Sequence, residues 1–260
     1  MHIFYTSSYD ASVYLQQPEQ NAGRDEILEV GKLYYGSVKD IARTFIKFDV
    51  SNIETGSGDW KTYINLKSAN SDSIPLQYTI YANAVSQSWT MGTGTKFDNI
   101  TSNGISWKYR DGINSWQDNV IGGTAEFTPG TTGSANAEGG TWYTGSEASQ
   151  SFNNEPDDVR INVTSIINLW LSGSLPNNGF ILHHSLSSEE NSIDYGILKF
   201  FSKETNTIYQ PKLEVVYNDF SFNTGSLAPV TGSAEDGYKV IITNLKKEYT
   251  TNTKVQIRIK

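Results

Sequence analysis

The sequence predicts an all-β protein plugged by one short helix, and three observations carry that reading. Short runs rich in Ile, Val, Phe, Tyr and Thr recur along the 260 residues, each bounded by Gly, Asn, Ser or Pro as strands are. Only one segment has helical spacing, whereas a parallel sheet needs a helix between successive strands. The chain holds 22 Gly, 12% aromatic and only 18% charged residues, against about 25% charged in an average domain. That is the composition of turns and half-buried sheet faces, too aromatic for a disordered chain.

The expected strands are 27–30 (ILEV), 44–50 (TFIKFDV), 62–66 (TYINL), 76–81 (LQYTIY), 104–108 (GISWK), 179–183 (GFILH), 196–201 (GILKFF) and 213–217 (LEVVY). In TFIKFDV, Ile46, Phe48 and Val50 share one face and are assigned to the core, with Phe45 and Lys47 on the other. The helix is 163–171 (VTSIINLWL), apolar at 163, 166, 167, 170 and 171, with Thr164 or Ser165 to cap its start and Ser172-Gly173-Ser174 and Pro176 to end it. Residues 121–156 are dominated by Gly, Ser, Thr, Asn and Ala and read as a long surface loop. After a first domain over 1–218, residues 219–235 read as a linker. Residues 236–260 then carry two more strands, 238–244 and 254–260, either a docked hairpin or the start of a second β domain. The alternating VQIRIK at the end has no closing turn, which points to a longer polypeptide.

Charge and composition exclude several functions. With 20 Lys and Arg against 28 Asp and Glu the formal charge is −8, and no basic block offers the phosphate-neutralising surface that nucleic acid requires. No apolar run approaches the roughly 18–20 residues of a membrane span. The opening MHIFYTSSYDASVY lacks the basic start and apolar stretch of a signal peptide. The absence of cysteine removes disulfides, Cys-ligated zinc and thiol nucleophiles together.

A family resemblance emerges from the order of short signatures between about Ser8 and Asn218. They begin with YDASVY at 9–14, NAG at 21–23 leading to LEVG at 28–31, and RTFIKFDV at 43–50. SWTMGT at 88–93, GISWKYRDG at 104–112 and Trp116 follow. Val163-Thr164, Trp170, Gly173, NGF at 178–180 and PKLEVVY at 211–217 complete the series. In this order the chain resembles the DNRLRE-type domains, also classed among carbohydrate-binding modules. That resemblance implies a jelly-roll-like β-sandwich. With no signal sequence and no cysteine, the chain is also similar to bacteriophage virion proteins that carry such a domain near their N-terminus.

No constellation of residues reads as catalytic. The adjacent His183 and His184 point to opposite faces of a strand and cannot easily share one metal. The acid pairs Asp157-Asp158 and Glu189-Glu190, and Asp118 near Asp111, give no sign of two carboxylates flanking one glycosidic bond. Asp157-Asp158 could ligate a structural Ca²⁺ through loop oxygens, with no ligand set assignable. GTGTK at 92–96 lacks phosphate-loop spacing. Among the aromatics, Trp107 and Trp170 read as core. Trp142 and Tyr143, in the polar loop, read as the best exposed pair, and Trp89 and Trp116 border Gly-rich turns. These four are the candidate ligand-binding residues, since a sugar binds by stacking on an exposed indole or phenol beside polar groups.

The expected function is therefore a non-catalytic structural or attachment module of a phage virion, such as a tail, collar or fibre component. It would assemble as a homo-oligomer and dock on other particle proteins. The alternative is a glycan-binding module for a cell-surface polysaccharide, secreted or carried beside a polysaccharide-degrading enzyme.

Overall fold

The computed structural model describes residues 1–54, 59–69, 77–117, 126–127, 138–153 and 158–217. The chain divides after Asp219. The expected linker 219–235, the expected strands beyond it and half of the expected loop 121–156 lie outside the described residues. In chain order the elements are β1 (His2–Tyr14), β2 (Ile27–Tyr35), β3 (Val38–Phe48), β4 (Trp60–Leu66), β5 (Gln77–Val85), β6 (Glu126–Phe127), β7 (Trp142–Asn153), β8 (Val159–Asn162), α1 (Thr164–Leu171), β9 (Phe180–His183), α2 (Leu186–Glu190), β10 (Gly196–Phe201) and β11 (Lys212–Tyr217). This is the all-β, sandwich-like architecture the sequence predicts.

Every strand pairing is antiparallel, and β1 belongs to both layers. Its residues 2–6 pair with β11, and its residues 7–14 pair with β3 after a register shift between Ser7 and Tyr9. From β11 the sheet continues through β4 to β8, and from β3 through β9, β5 and β7 to β6, while β2 joins β3 to β10. The outer strand β8 then returns to β7: the Gln150 carboxamide donates to the Asp158 carbonyl oxygen (3.2 Å) and accepts from the Arg160 N–H (2.6 Å). The sheet is thus nearly closed, which leaves little of the unpaired edge that invites aggregation. The β2–β3 connection is a two-residue turn in which Gly36 (φ 55°) and Ser37 (φ 73°) both take positive φ. That is the turn whose twist matches paired strands.

Between the layers lies the main core, which includes Leu28, Val30, Ile46, Phe48, Ile64, Leu66, Ile80, Phe180, Leu213 and Val215. Each such side chain contributes roughly 1.5–3 kcal/mol by leaving water. The helix forms where its periodicity predicts, turning Ile166, Ile167 and Trp170 inward, with the Trp170 ring 4.5 Å from that of Phe180. Its start differs in detail. Val163 holds the N-cap position without a side-chain bond, and Asn162 Oδ1 accepts from the Thr164 N–H and hydroxyl (3.1 and 2.6 Å).

A second core lies on the other face of β3. Phe45, expected to face away from the core, is fully buried there with Ala11, Val13, Trp89, Ile105, Trp107, Trp116 and Trp142. Residues 86–117 cover it, and the expected strand 104–108 lies within this loop as irregular chain. Its apolar residues Ile105 and Trp107 pack on a sheet instead of joining one, so their alternation carries no strand. Part of the expected loop 121–156 is in turn the long strand β7. Its exposed positions are Thr144, Gly145, Glu147, Ser149, Ser151 and Asn153, and Ser146, Ala148 and Gln150 on the other side carry too little apolar surface to mark the alternation.

The second helix, α2, has five residues, too few to persist alone. Three cations hold it. Arg43 forms a buried two-pronged pair with Glu189 (3.1 and 2.5 Å), Lys39 pairs with Glu190, and Lys32 reaches the Ser188 and Asn191 carbonyls. Arg43 also donates to the Gly139 carbonyl oxygen (2.9 Å) and lies against the Trp107 and Trp142 rings (4.7 and 5.4 Å). The acid pair Glu189-Glu190 is therefore occupied in holding the fold.

Candidate functional site

The loop 86–117 has almost no regular structure, so its backbone groups need other partners. Asn21, fully buried, supplies the hub. Its amide nitrogen donates to the Met91 and Ile105 carbonyl oxygens (2.7 Å each), and its Oδ1 accepts from the Gly94 and Gly23 N–H groups (2.8 and 3.3 Å). Gln20 donates to the Thr95 carbonyl oxygen (2.5 Å), and the Asp25 carboxylate accepts the Lys96 N–H (3.1 and 3.2 Å). Further bonds join Lys108 N–H to the Pro18 carbonyl oxygen (2.9 Å) and Arg24 N–H to that of Gly94 (2.9 Å). The loop is pinned along its length to residues 18–25.

All four of the aromatics expected to bind ligand are buried. Trp116 is fully buried and stacks on Phe45 (5.3 Å, 20°) while donating to the Ser106 carbonyl oxygen (3.2 Å). Trp89 meets Phe45 edge-on (5.7 Å) and donates to the Asn178 carbonyl oxygen (2.7 Å). Trp142 lies against the His183 ring (4.4 Å). Trp89, Trp116 and Trp142 share the second core, whereas Tyr143, next along β7, faces the main core. The expectation of an exposed Trp142-Tyr143 pair is corrected: a strand sends neighbours to opposite faces, and here both faces are covered.

What the loop exposes instead is Phe97 (88% exposed) and Ile100 (68%), on the stretch that Asp25, Gln20 and Asn21 hold, and further along the chain Ile113 (82%). Beside them opens a cleft of about 510 Å³, within the size range of ligand sites, whose facing wall is Gln16, Gln17, Pro18 and Glu19. A smaller cleft of about 150 Å³ adjoins it across Lys96 and Phe97 and is lined by Tyr14, Asp25 and Glu29. The Lys96 ammonium pairs with Glu29 (2.5 Å) and lies 4.1 Å from the Tyr14 ring centre. Burial first, and then the Glu29 charge, push the Asp25 carboxyl upward, with the Lys96 N–H opposing. The arrangement can grip an apolar group between Phe97, Ile100 and Pro18 and bind polar groups with carboxamides and carboxylates along the rim. In the sequence the signal for this site was Phe97 and Ile100 standing amid Gly, Thr, Asp and Asn; periodicity is silent in irregular chain.

The histidines are internal. His183 contacts the His184 carbonyl oxygen (2.5 Å) and Asn83 Oδ1 (3.0 Å), and burial lowers its pKa to about 3. Burial likewise lowers that of His184 to about 4. Asp158 pairs with Lys67 (2.6 Å), while Asp157 and Asp118 lie outside the described residues. Among the described residues no three His, Asp or Glu gather as a metal site, and no helix is long and apolar enough to cross a membrane. A third, polar cleft of about 340 Å³ opens between β5, β7 and the α2 region, lined by Thr79, Tyr81, Ser151, Ser188 and Tyr195. No family model and no curated protein matches the chain.

Proposed function

We propose that the chain is a non-catalytic attachment module of a bacteriophage particle, docking on a neighbouring virion protein through the cleft beside Phe97. The observation that carries the protein-docking part is the exposure of Phe97 and Ile100 on a loop whose backbone is already fixed by Asn21 and Asp25. Exposed large apolar groups on an ordered surface mark interaction sites, and a loop ordered beforehand loses little entropy when it is covered. The phage assignment rests on the family resemblance of the sequence.

The test is incorporation into particles. Purified phage should carry the wild-type chain and lack the Phe97→Asp variant, although that variant melts at the wild-type temperature. Particles free of the wild-type chain overturn the assignment, and particles that retain Phe97→Asp overturn the site. The hydroxyl-rich cleft by Tyr81 and Tyr195 favours a second reading, glycan binding. Saturable binding on a glycan array, lost in Tyr81→Ala and kept in Phe97→Asp, would establish it.

A further inference from the structure

Lys32 is fully buried against Ser188 and Tyr195, two residues that line the third cleft. It lies on β2 opposite Gly196 of β10, and its ammonium nitrogen is held by α2 and the residue that follows it. Nζ donates to the Ser188 carbonyl oxygen (2.9 Å), to the Asn191 backbone carbonyl and to the Asn191 side-chain Oδ1 (2.9 Å). Among the described residues no carboxylate pairs with it, because Glu189 is taken by Arg43 and Glu190 by Lys39. Burial, reinforced by the Lys39 charge, lowers the Lys32 pKa. A lysine in that setting is the type that serves as a nucleophile.

Its neighbour is a carboxamide held at both ends. Asn191 Oδ1 accepts from the Ile193 N–H (2.9 Å), a fixed donor where negative charge would build if the carbonyl carbon were attacked. Asn191 Nδ2 donates to the Tyr195 hydroxyl oxygen (3.0 Å). That hydroxyl is acidified, first by its hydrogen bond with Ser188 and also by the Lys32 charge. Tyr195 and Ser188 also line the third cleft, giving a small leaving molecule a way out.

We propose that Lys32 and Asn191 join in an intramolecular isopeptide bond, with Tyr195 as the acid for the leaving nitrogen. The neutral Lys32 amine attacks Asn191 Cγ, forming the C–N bond, and the Ile193 N–H holds the oxyanion. The intermediate collapses, Cγ–Nδ2 breaks, and Nδ2 leaves as ammonia. It takes a proton from Tyr195, which recovers one from the attacking nitrogen. One amine and one carboxamide give one secondary amide and one ammonia, with no change in oxidation state and no co-reactant. The bond would connect residues 159 apart in sequence, fastening the α2 loop to β2. This inference stands independently of the attachment reading.

Intact-mass spectrometry of the folded full chain tests it. The expected mass is lower than that of the sequence by one ammonia, and digestion should release a branched peptide joining Lys32 to Asn191. Lys32→Arg, which keeps the buried charge, and Asn191→Ala should both restore the full mass. Tyr195→Phe should slow formation by about 10²-fold or more in freshly synthesised chain. A folded wild-type chain of full mass overturns the proposal. So does an ammonia loss that persists in Lys32→Arg, which would mean that an asparagine cyclises on its own backbone. Wild-type speed in Tyr195→Phe removes the tyrosine from the reaction.

Discussion

Replacing Glu189 by Gln keeps the shape of the side chain and removes the charge that neutralises Arg43. Both partners are 2% exposed, so water cannot replace the lost carboxylate. Breaking a buried pair from one side costs about 3–5 kcal/mol. The Arg43 contacts to Trp107 and Trp142 and to the Gly139 carbonyl remain, but they hold a cation without an anion. At roughly 2–4 °C per kcal/mol for a domain of this size, the melting temperature should fall by about 6–20 °C, read by tryptophan fluorescence. The double variant Arg43→Met with Glu189→Leu removes both charges and leaves mainly the Gly139 carbonyl without its donor, at about 1–3 kcal/mol. It should be more stable than the sum of the two single variants by at least about 2 kcal/mol. Additivity within about 0.5 kcal/mol would refute the argument that the two charges depend on each other.

Other predictions follow from buried groups. Burial raises the Asp10 pKa to about 6, against a hydrogen bond from the Lys203 N–H, so the folded state binds this proton more tightly than the unfolded chain. The Asp10 contribution to stability therefore declines as pH rises from about 4 to 6, and Asp10→Asn should remove a penalty of up to about 3 kcal/mol at neutral pH, seen in urea midpoints. His183 and His184 act in the opposite sense. Their lowered pKa values mean that the unfolded chain binds protons the folded state refuses, so stability falls as pH drops below about 6.5, by about 1.4 kcal/mol per unit for each histidine. Two histidines outweigh one aspartate, and the intact protein should lose stability between about pH 6.5 and 4. Their imidazole NMR signals should not titrate above about pH 5, and titration near 6.5 would contradict the burial. At Gly140 (φ 101°) an added Cβ would sit 2.4 Å from Phe45 Cζ, whereas at Gly145 (φ 89°) it would meet nothing within 4 Å. Gly140→Ala should thus cost clearly more in thermal melts than Gly145→Ala, which bears only the backbone strain of about 1–2 kcal/mol.

The sheet was legible in the sequence wherever branched and aromatic residues alternate, as in β4, β10 and β11. The helix was legible because Ile166, Ile167 and Trp170 fall on one side of it. β7 was hidden because Ser146, Ala148 and Gln150 stand on its inner side where large apolar residues would mark a strand, and the loop 86–117 because the tryptophans that give it a core follow no period. Those tryptophans suggest a surface platform when each is read alone. Their burial depends on Asn21, some 70 residues away from Met91, a partnership that no local pattern records. The same distance concealed Lys32 and Asn191: each is unremarkable in its own segment, and only the pairing of β2 with β10 brings them together.

The double membership of β1 has a consequence for synthesis. As the chain leaves the ribosome, residues 7–14 find β3 within a few dozen residues. The first half of the same strand has its partner β11 at the far end of the domain. Residues 2–6 must therefore wait, unpaired, until residue 217 has emerged, and pairings so remote in sequence form slowly. A translating chain would pass through a stage with one layer assembled and the other missing β11, its last strand. In that interval the unpaired residues 2–6 present a strand edge that an exposed strand of a neighbouring chain could join.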